Sequence, residues 1–322
     1  MSAYTHYTGS FIGSSSNELH YQKWEADSPV LNLLIVHGLG EHSGRYGNII
    51  KKLEGKNVSI YSFDHRGHGK SMGKRGHIDS FNDYVNDLKI YIEHIKLIND
   101  KLPLVMLGHS LGGVIAMKYA LEYPKDVSAL ILSSAGLIPA FTIPEWRKAM
   151  AGILNIVAPG LLQSNGLNSA DLSHDQKVIQ DYNNDPLVHD RISVRFFIEF
   201  TAAEDECLRR ALELSMPLLV FHGTDDKIVT YLGSQQVYDR ASSSDKKIYL
   251  FKNMYHETMN EINKDDVLKA VVPWILDRAR KKPPKGQTAA KQKERTPREK
   301  KGQAKNNKSQ SKSSARKKAL KN

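Results

Sequence analysis

The chain carries a single cysteine, Cys207, in 322 residues, so no disulfide can close within it. That excludes the small disulfide-stapled scaffolds and points to a reducing compartment. Cys207 falls in an expected helix, where a free thiol is a small packed apolar group. No uncharged apolar run reaches the ~20 residues that a membrane-spanning helix needs. The amino terminus shows no basic segment leading into an apolar core, so no secretory signal is expected and a cytoplasmic protein is. Metal-ligand spacing is also missing. His65 and His68 stand three apart with no third or fourth ligand at useful spacing, and the glycines of Asp64-His65-Arg66-Gly67-His68-Gly69-Lys70-Ser71 do not follow the nucleotide-binding fingerprint. That loop is expected to be a structural turn, and no metal or organic cofactor is called for. His174, His189 and His222 have no chemistry that the sequence assigns.

The charge is unevenly spread. The full chain has net charge +11, yet residues 278–322 hold 18 Lys and Arg against two acids, and the rest holds 28 against 33. The body is therefore mildly acidic and the excess positive charge is a tail. Lacking aromatic and β-branched apolar residues, the tail (281–322) cannot bury a core and is expected to be disordered. It suits an electrostatic tether to anionic lipid. Binding of nucleic acid would rest on phosphate alone, because no aromatics are interleaved for base stacking.

Apolar runs at Leu31–Val36, Val58–Phe63, Leu104–Gly108, Ala129–Ser133, Pro217–Phe221 and Lys247–Phe251 read as strands, with helical periodicity between them, as over Phe81–Ile98. Tyr4–Lys23 reads as an opening hairpin turning at Ser14–Asn17. Strands separated by helix-length crossovers give an α/β fold with a mostly parallel, doubly wound sheet. Between Leu137 and about Glu213, Pro139, Pro144, Pro159 and Gly160 punctuate short helical pieces. The expected division is a core of 1–136 and 214–280, a helical cap of 137–213, and the tail.

One strand ends in Gly108-His109-Ser110-Leu111-Gly112-Gly113, followed by a helical run that Pro124 closes. A strand that breaks at Gly-x-Ser-x-Gly and restarts as a helix makes a nucleophile elbow, and Ser110 would sit exposed at its tip. A serine nucleophile needs a base and a carboxylate to orient that base. Downstream, strand ends carry Asp225-Asp226 and then His256, in the order Ser, Asp, His. Both lie where open α/β sheets place their sites. Chemistry alone leaves Asp225 and Asp226 open. The loop His37-Gly38-Leu39-Gly40-Glu41-His42 follows an earlier strand, so the N–H of Leu39 can join that of Leu111 in an oxyanion hole. His37 precedes the nucleophile and is expected to brace the loop.

Together these segments resemble the monoacylglycerol lipase branch of the α/β-hydrolases, relatives of which are lysophospholipases. The matching residues are His37–Tyr46, Asp64–Ser71, Gly108–Gly113, Tyr182–Leu187, Gly223–Asp226 and Tyr255-His256. The resemblance runs from about Leu19 to Ala279. It implies an α/β-hydrolase fold with a cap, the triad Ser110, Asp226 and His256, and oxyanion donors at Leu39 and Leu111. It also implies contacts to a lipid ester substrate from Glu41, Arg45 and Tyr182. Asp226 is chosen because the family's acid lies three residues past the strand-end glycine. One departure stands out. Where the family has a second histidine, three residues past the catalytic one, this chain has Met259, which offers no useful hydrogen bond to a glycerol head.

In the cap, Trp146–Leu162 is mostly apolar but too short to span a bilayer. It is expected to dock peripherally on a membrane, with Ile153 and Leu154 in the contact and Arg147 and Lys148 beside lipid phosphates. The expected activity is hydrolysis of monoacylglycerol. A lysophospholipase or general carboxylesterase would differ only in the head group accepted, and a binding protein on the hydrolase fold would lack turnover. Serine at the elbow excludes the aspartate-nucleophile dehalogenases and epoxide hydrolases.

Overall fold

The computed structural model describes residues 4–280. Five strands, β3 (Leu31–Val36), β4 (Val58–Phe63), β5 (Leu104–His109), β6 (Ala129–Ser133) and β9 (Leu218–Gly223), are buried along their whole length. Their apolar residues alternate between two core clusters, one on each face of the sheet. Leu34, Val36, Met106, Leu132 and Val220 enter the first, and Leu33, Ile35, Val105, Ile131 and Phe221 the second. Burial on both faces is why these strands read as continuous apolar runs.

Eight strands form one sheet in the order β1-β2-β4-β3-β5-β6-β9-β10. The opening hairpin, β1 (Thr5–Ile12) and β2 (Glu18–Glu25), is antiparallel, and every pairing from β4 to β10 (Lys246–Phe251) is parallel. Helices α2 (Asn82–Asn99) and α3 (Leu111–Glu122) cover one face, while α1 (Gly47–Leu53) and α8 (Lys264–Arg280) cover the other. Register aligns the carboxyl ends. Val36 pairs with Gly108, His109 with Ser133, Ser133 with Phe221, and Gly223 with Phe251. The loops that leave β3, β5, β9 and β10 therefore emerge along one edge, where the candidate residues lie.

Between β6 and β9 the chain forms α4 (Glu145–Val157), α5 (Gln176–Asn184) and α6 (Val194–Arg210), with a short antiparallel pair β7 (Leu162–Ser164) and β8 (Arg191–Ser193). The helix expected over Trp146–Leu162 stops at Val157. Ala158-Pro159-Gly160 breaks it, since proline cannot continue the ladder, and Leu162 enters a strand. α6 packs on α3 and α4 packs on α6. α4 buries no residue completely, and Ile153, Ile156 and Val157 are 65%, 83% and 71% exposed. Leu154, expected beside Ile153 in the membrane contact, is half-buried and does not share its outward face. A face recurs every three or four residues, which pairs Ile153 with Ile156 and Val157. α7 (Tyr231–Arg240) follows β9. No helix among the described residues is long and apolar enough to cross a membrane. The expected disordered basic tail lies outside the described residues.

Candidate active site

β5 ends at His109, and Ser110 follows with φ 51° and ψ −120°. A non-glycine residue holds such a conformation only where its surroundings over-determine it. The surroundings here are backbone. Ser110 N–H donates to the Ser133 carbonyl at 3.1 Å, and the Ser110 carbonyl accepts from the N–H groups of Gly113 and Gly136 at 2.9 Å each. The turn also depends on close approach at two glycines. A methyl group on Gly108 would strike the Gly112 carbonyl, and one on Gly112 would strike the carbonyls of Val36 and His37. Ser110 is part-exposed at the tip, and α3 starts at Leu111.

The loop after β3 folds against the elbow. A methyl on Gly38 would stand 3.3 Å from Ser110 Cβ. Glu41 closes this loop by accepting the Gly38 N–H (2.6 Å) and the Tyr46 hydroxyl (2.7 Å) on Oε1. Buried His37 spans it, with Nδ1 donating to the Gly38 carbonyl (2.8 Å) and Nε2 accepting the His65 N–H (2.9 Å). Burial, and secondarily His68, pushes the His37 pKa down to about 3, so it stays neutral and acts as a brace. Among the described residues no acceptor takes the N–H of Leu39 or of Leu111. Such orphan donors at a turn and a helix start favour a negative charge.

Geometry separates the two aspartates. Asp225 is exposed, whereas Asp226 is buried and its Oδ2 accepts from His256 Nδ1 at 2.7 Å. Oδ1 accepts the N–H groups of Ile228 (2.9 Å) and Val229 (3.0 Å). Oδ2 has a further partner that the sequence left unassigned, His222 Nε2 at 2.9 Å. That nitrogen also faces the Val229 carbonyl (3.1 Å), so it must carry the proton, and Nδ1 accepts from the Ser234 hydroxyl (2.8 Å). Burial acts to raise the Asp226 pKa, but His256 and the two imidazole hydrogen bonds hold it far below the usual carboxylate range. For His256, burial acts to lower the pKa and the Asp226 charge and hydrogen bond outweigh it, leaving it above the ordinary 6.5. The His109 ring lies 4.9 Å from that of His256 and connects the elbow to the histidine loop. Burial, then His256, pushes His109 down to about 4, so it adds no charge.

Glu41 and Arg45, expected as substrate contacts, are bonded to each other and to Glu257. Arg45 Nη1 donates to Glu41 Oε2 (3.0 Å) and Glu257 Oε1 (2.6 Å), and Nη2 donates to Glu257 Oε2 (2.9 Å). Burial works against the Arg45 charge, but Glu257 and Glu41 more than compensate and raise its pKa. The Tyr182 ring lies 4.8 Å from the guanidinium, a cation–π contact. Tyr182 is thus brought to the loop, as are its neighbours: the His189 N–H donates to the Gly40 carbonyl (3.0 Å), and His42 Nε2 pairs with Asp185 (2.8 Å). Met259 is buried with Tyr46 and Ile49 in the core, beside a cavity of about 10 Å³ that Glu41, His109 and Glu257 also line. That volume suits one water. Cys207 packs against the Val114 carbonyl, and burial pushes its thiol up to about 12.

His222 and Glu257 are the residues that sequence reasoning missed. His222 precedes Asp226 by four residues at the end of β9, a spacing that allows contact across a tight turn. Glu257 adjoins His256, but its partner Arg45 is 212 residues away and nothing local announces it.

Residues 27–263 match the family described as serine aminopeptidase, S33. A monoacylglycerol lipase of Mycolicibacterium smegmatis is 32% identical over 83% of this chain and 96% of its own. A phospholipase of Bacillus subtilis is 30% identical over 77% of this chain and 95% of its own. Among solved structures, the monoacylglycerol lipase of Paleococcus ferrophilus superposes with a TM-score of 0.75 at 34% identity, covering 81% of this chain and 99% of that one. The elbow, the parallel sheet and these likenesses agree, and the chain belongs to the α/β-hydrolase family of serine hydrolases that includes the monoacylglycerol lipases.

Proposed function

We propose that this enzyme hydrolyses monoacylglycerols to glycerol and a free fatty acid through an acyl-enzyme on Ser110. The carrying observation is the 2.7 Å bond from His256 Nδ1 to Asp226, made at the same sheet edge as the Ser110 elbow. With the Nδ1 proton held by Asp226, His256 Nε2 is the basic nitrogen and takes the Ser110 proton as the hydroxyl attacks the ester carbonyl. The N–H groups of Leu39 and Leu111 receive the developing oxyanion. His256 then protonates the departing alcohol, and water releases the fatty acid by the reverse steps. Lipid ester hydrolysis is also what the relatives' names describe, monoacylglycerol lipase in two cases and phospholipase in one. The last supports a lysophospholipase as the second reading, since only the departing alcohol would differ.

Initial rates on monooleoylglycerol, lysophosphatidylcholine and a short p-nitrophenyl ester test the proposal. Fastest turnover of monooleoylglycerol is expected. Preference for the lysophospholipid would move the assignment to the second reading, and no turnover of any ester would leave a binding protein.

The enzyme is further proposed to act in the cytoplasm, as its lone, buried cysteine supports, and to meet its substrate by peripheral contact with anionic membrane through α4 and the basic tail. The outward residues Ile153, Ile156 and Val157 would enter the lipid. Burying an isoleucine gains roughly 1.5–3 kcal/mol, so losing even half of that twice lowers binding about tenfold or more. The double variant Ile153→Ser, Ile156→Ser is therefore expected to sediment with anionic vesicles about tenfold less well. Unchanged sedimentation at unchanged Tm would remove docking through α4.

A further inference from the structure

Two carboxylates hold one guanidinium beside the histidine that protonates the leaving group. Arg45 engages Glu41 through one bond and Glu257 through two, at 3.0, 2.6 and 2.9 Å. Its side chain is 11% exposed and both glutamates are 5% exposed. Glu257 is further fixed by Asn260 Nδ2 at 2.8 Å, itself bonded through Oδ1 to Asn48 at 2.9 Å. The Tyr182 ring covers the guanidinium. Glu257 takes the end-on pair of the guanidinium's N–H groups and Glu41 takes a third, so two carboxylates share one cation.

The cluster adjoins the catalytic elements: a methyl on Gly38 would lie 2.9 Å from Glu41 Oε1 and 3.3 Å from Ser110 Cβ, and both glutamates favour the charged form of His256, the residue that protonates the departing alcohol. Arg45 belongs to the loop that carries Leu39. Tyr182 also lines a cap cavity of about 270 Å³ together with Asn165, Asn168, Ser169, Asp185, Asp190 and His189. Leu167, Leu172 and Val188 complete a mixed lining that includes amides, hydroxyls and two aspartates, with no lysine or arginine among the lining residues. A hydroxyl-bearing head group finds donors and acceptors there. A phosphate or carboxylate meets like charge without a partner, and a desolvated unpaired charge is strongly rejected.

We propose that Glu257 is a specificity-determining residue that, by occupying Arg45, restricts the enzyme to esters with uncharged, hydroxyl-bearing alcohols and excludes anionic ones. This rests on the ester-hydrolase reading above and narrows it. The test pair is 1-oleoylglycerol and its 3-phosphate, 1-oleoylglycerol 3-phosphate, each dilute in the same excess of neutral detergent so that the micelle surface is common to both. The readout is the ratio of the two kcat/KM values, which a partial loss of folded enzyme does not move. The wild type is expected to favour the neutral ester by about 100-fold or more. Glu257→Gln keeps the shape, removes the charge and loosens Arg45, and is expected to shrink that ratio about tenfold. Glu257→Asp, which restores the charge, is expected to return most of it. The inference is overturned if the wild type uses both esters within threefold, or if Glu257→Gln leaves the ratio within twofold of the wild-type value. If the wild type cleaves neither ester, the hydrolase reading falls and takes this one with it; cleavage of the neutral ester with an unmoved ratio overturns this inference alone.

Discussion

Ser110→Ala is expected to lower kcat on every ester by roughly 10⁶-fold, the scale of removing a serine nucleophile, with the residue of catalysis coming from the oxyanion donors and binding. A fluorophosphonate probe should label the wild type at this serine alone and leave the variant unlabelled. The fold should not change. Alanine keeps the Cβ that makes φ 51° unfavourable, so the backbone strain is the same in both proteins, and the bonds that hold the turn are made by the Ser110 backbone to Ser133, Gly113 and Gly136. Thermal unfolding therefore separates the two explanations of lost activity. An inactive variant with the wild-type Tm has lost a nucleophile, whereas an inactive variant with a much lower Tm has lost a turn. Labelling that persists in Ser110→Ala, or turnover within tenfold of wild type, would refute the assignment.

The sheet was legible for a physical reason. β3, β5, β6 and β9 are buried on both faces, so nearly every residue in them is apolar and the strands read without an alignment. The elbow was legible because its geometry is local: glycines are needed where Gly108 and Gly112 meet backbone, and they sit at fixed offsets from Ser110. What depends on chain segments meeting was not. Asp225 and Asp226 are neighbours of one residue type, and only the turn after β9 buries the second and exposes the first. Arg45 and Glu257 find each other only once the loop after β3 and the loop after β10 converge, so nothing near Arg45 in sequence announces the carboxylate it pairs with in the structure. The three-residue strands β7 and β8 are too short to show a period of two, and the first residue of β7, Leu162, also ends the apolar stretch that reads as helical.

Asp226→Asn is the second large effect, and its size follows from how Asp226 is held. Oδ1 receives two backbone N–H groups, from Ile228 and Val229, that no mutation at this position removes. An asparagine must turn its carbonyl oxygen toward those donors, which places its NH₂ where Oδ2 now stands, facing His256 Nδ1 and His222 Nε2. Facing a donor, His256 Nδ1 has to accept, and the imidazole proton moves to Nε2. The nitrogen that should take the Ser110 proton then already carries one. His222 is strained in the same way, because its Nε2 also faces the Val229 carbonyl and Ser234 can supply a proton only to Nδ1. A loss of about 10⁴ in kcat is expected, as for the wrong tautomer in serine proteases. The pH profile gives an independent sign. In the wild type Asp226 raises the His256 pKa above 6.5, and the base must be neutral, so kcat/KM should fall on the acid side with an inflection above pH 6.5. Removing the carboxylate charge leaves the desolvation of His256 unopposed by its main partner, so the inflection should move to lower pH in the variant. An inflection that stays in place, or a wild-type inflection below 6.5, would show that His256 is not the base whose protonation limits the rate.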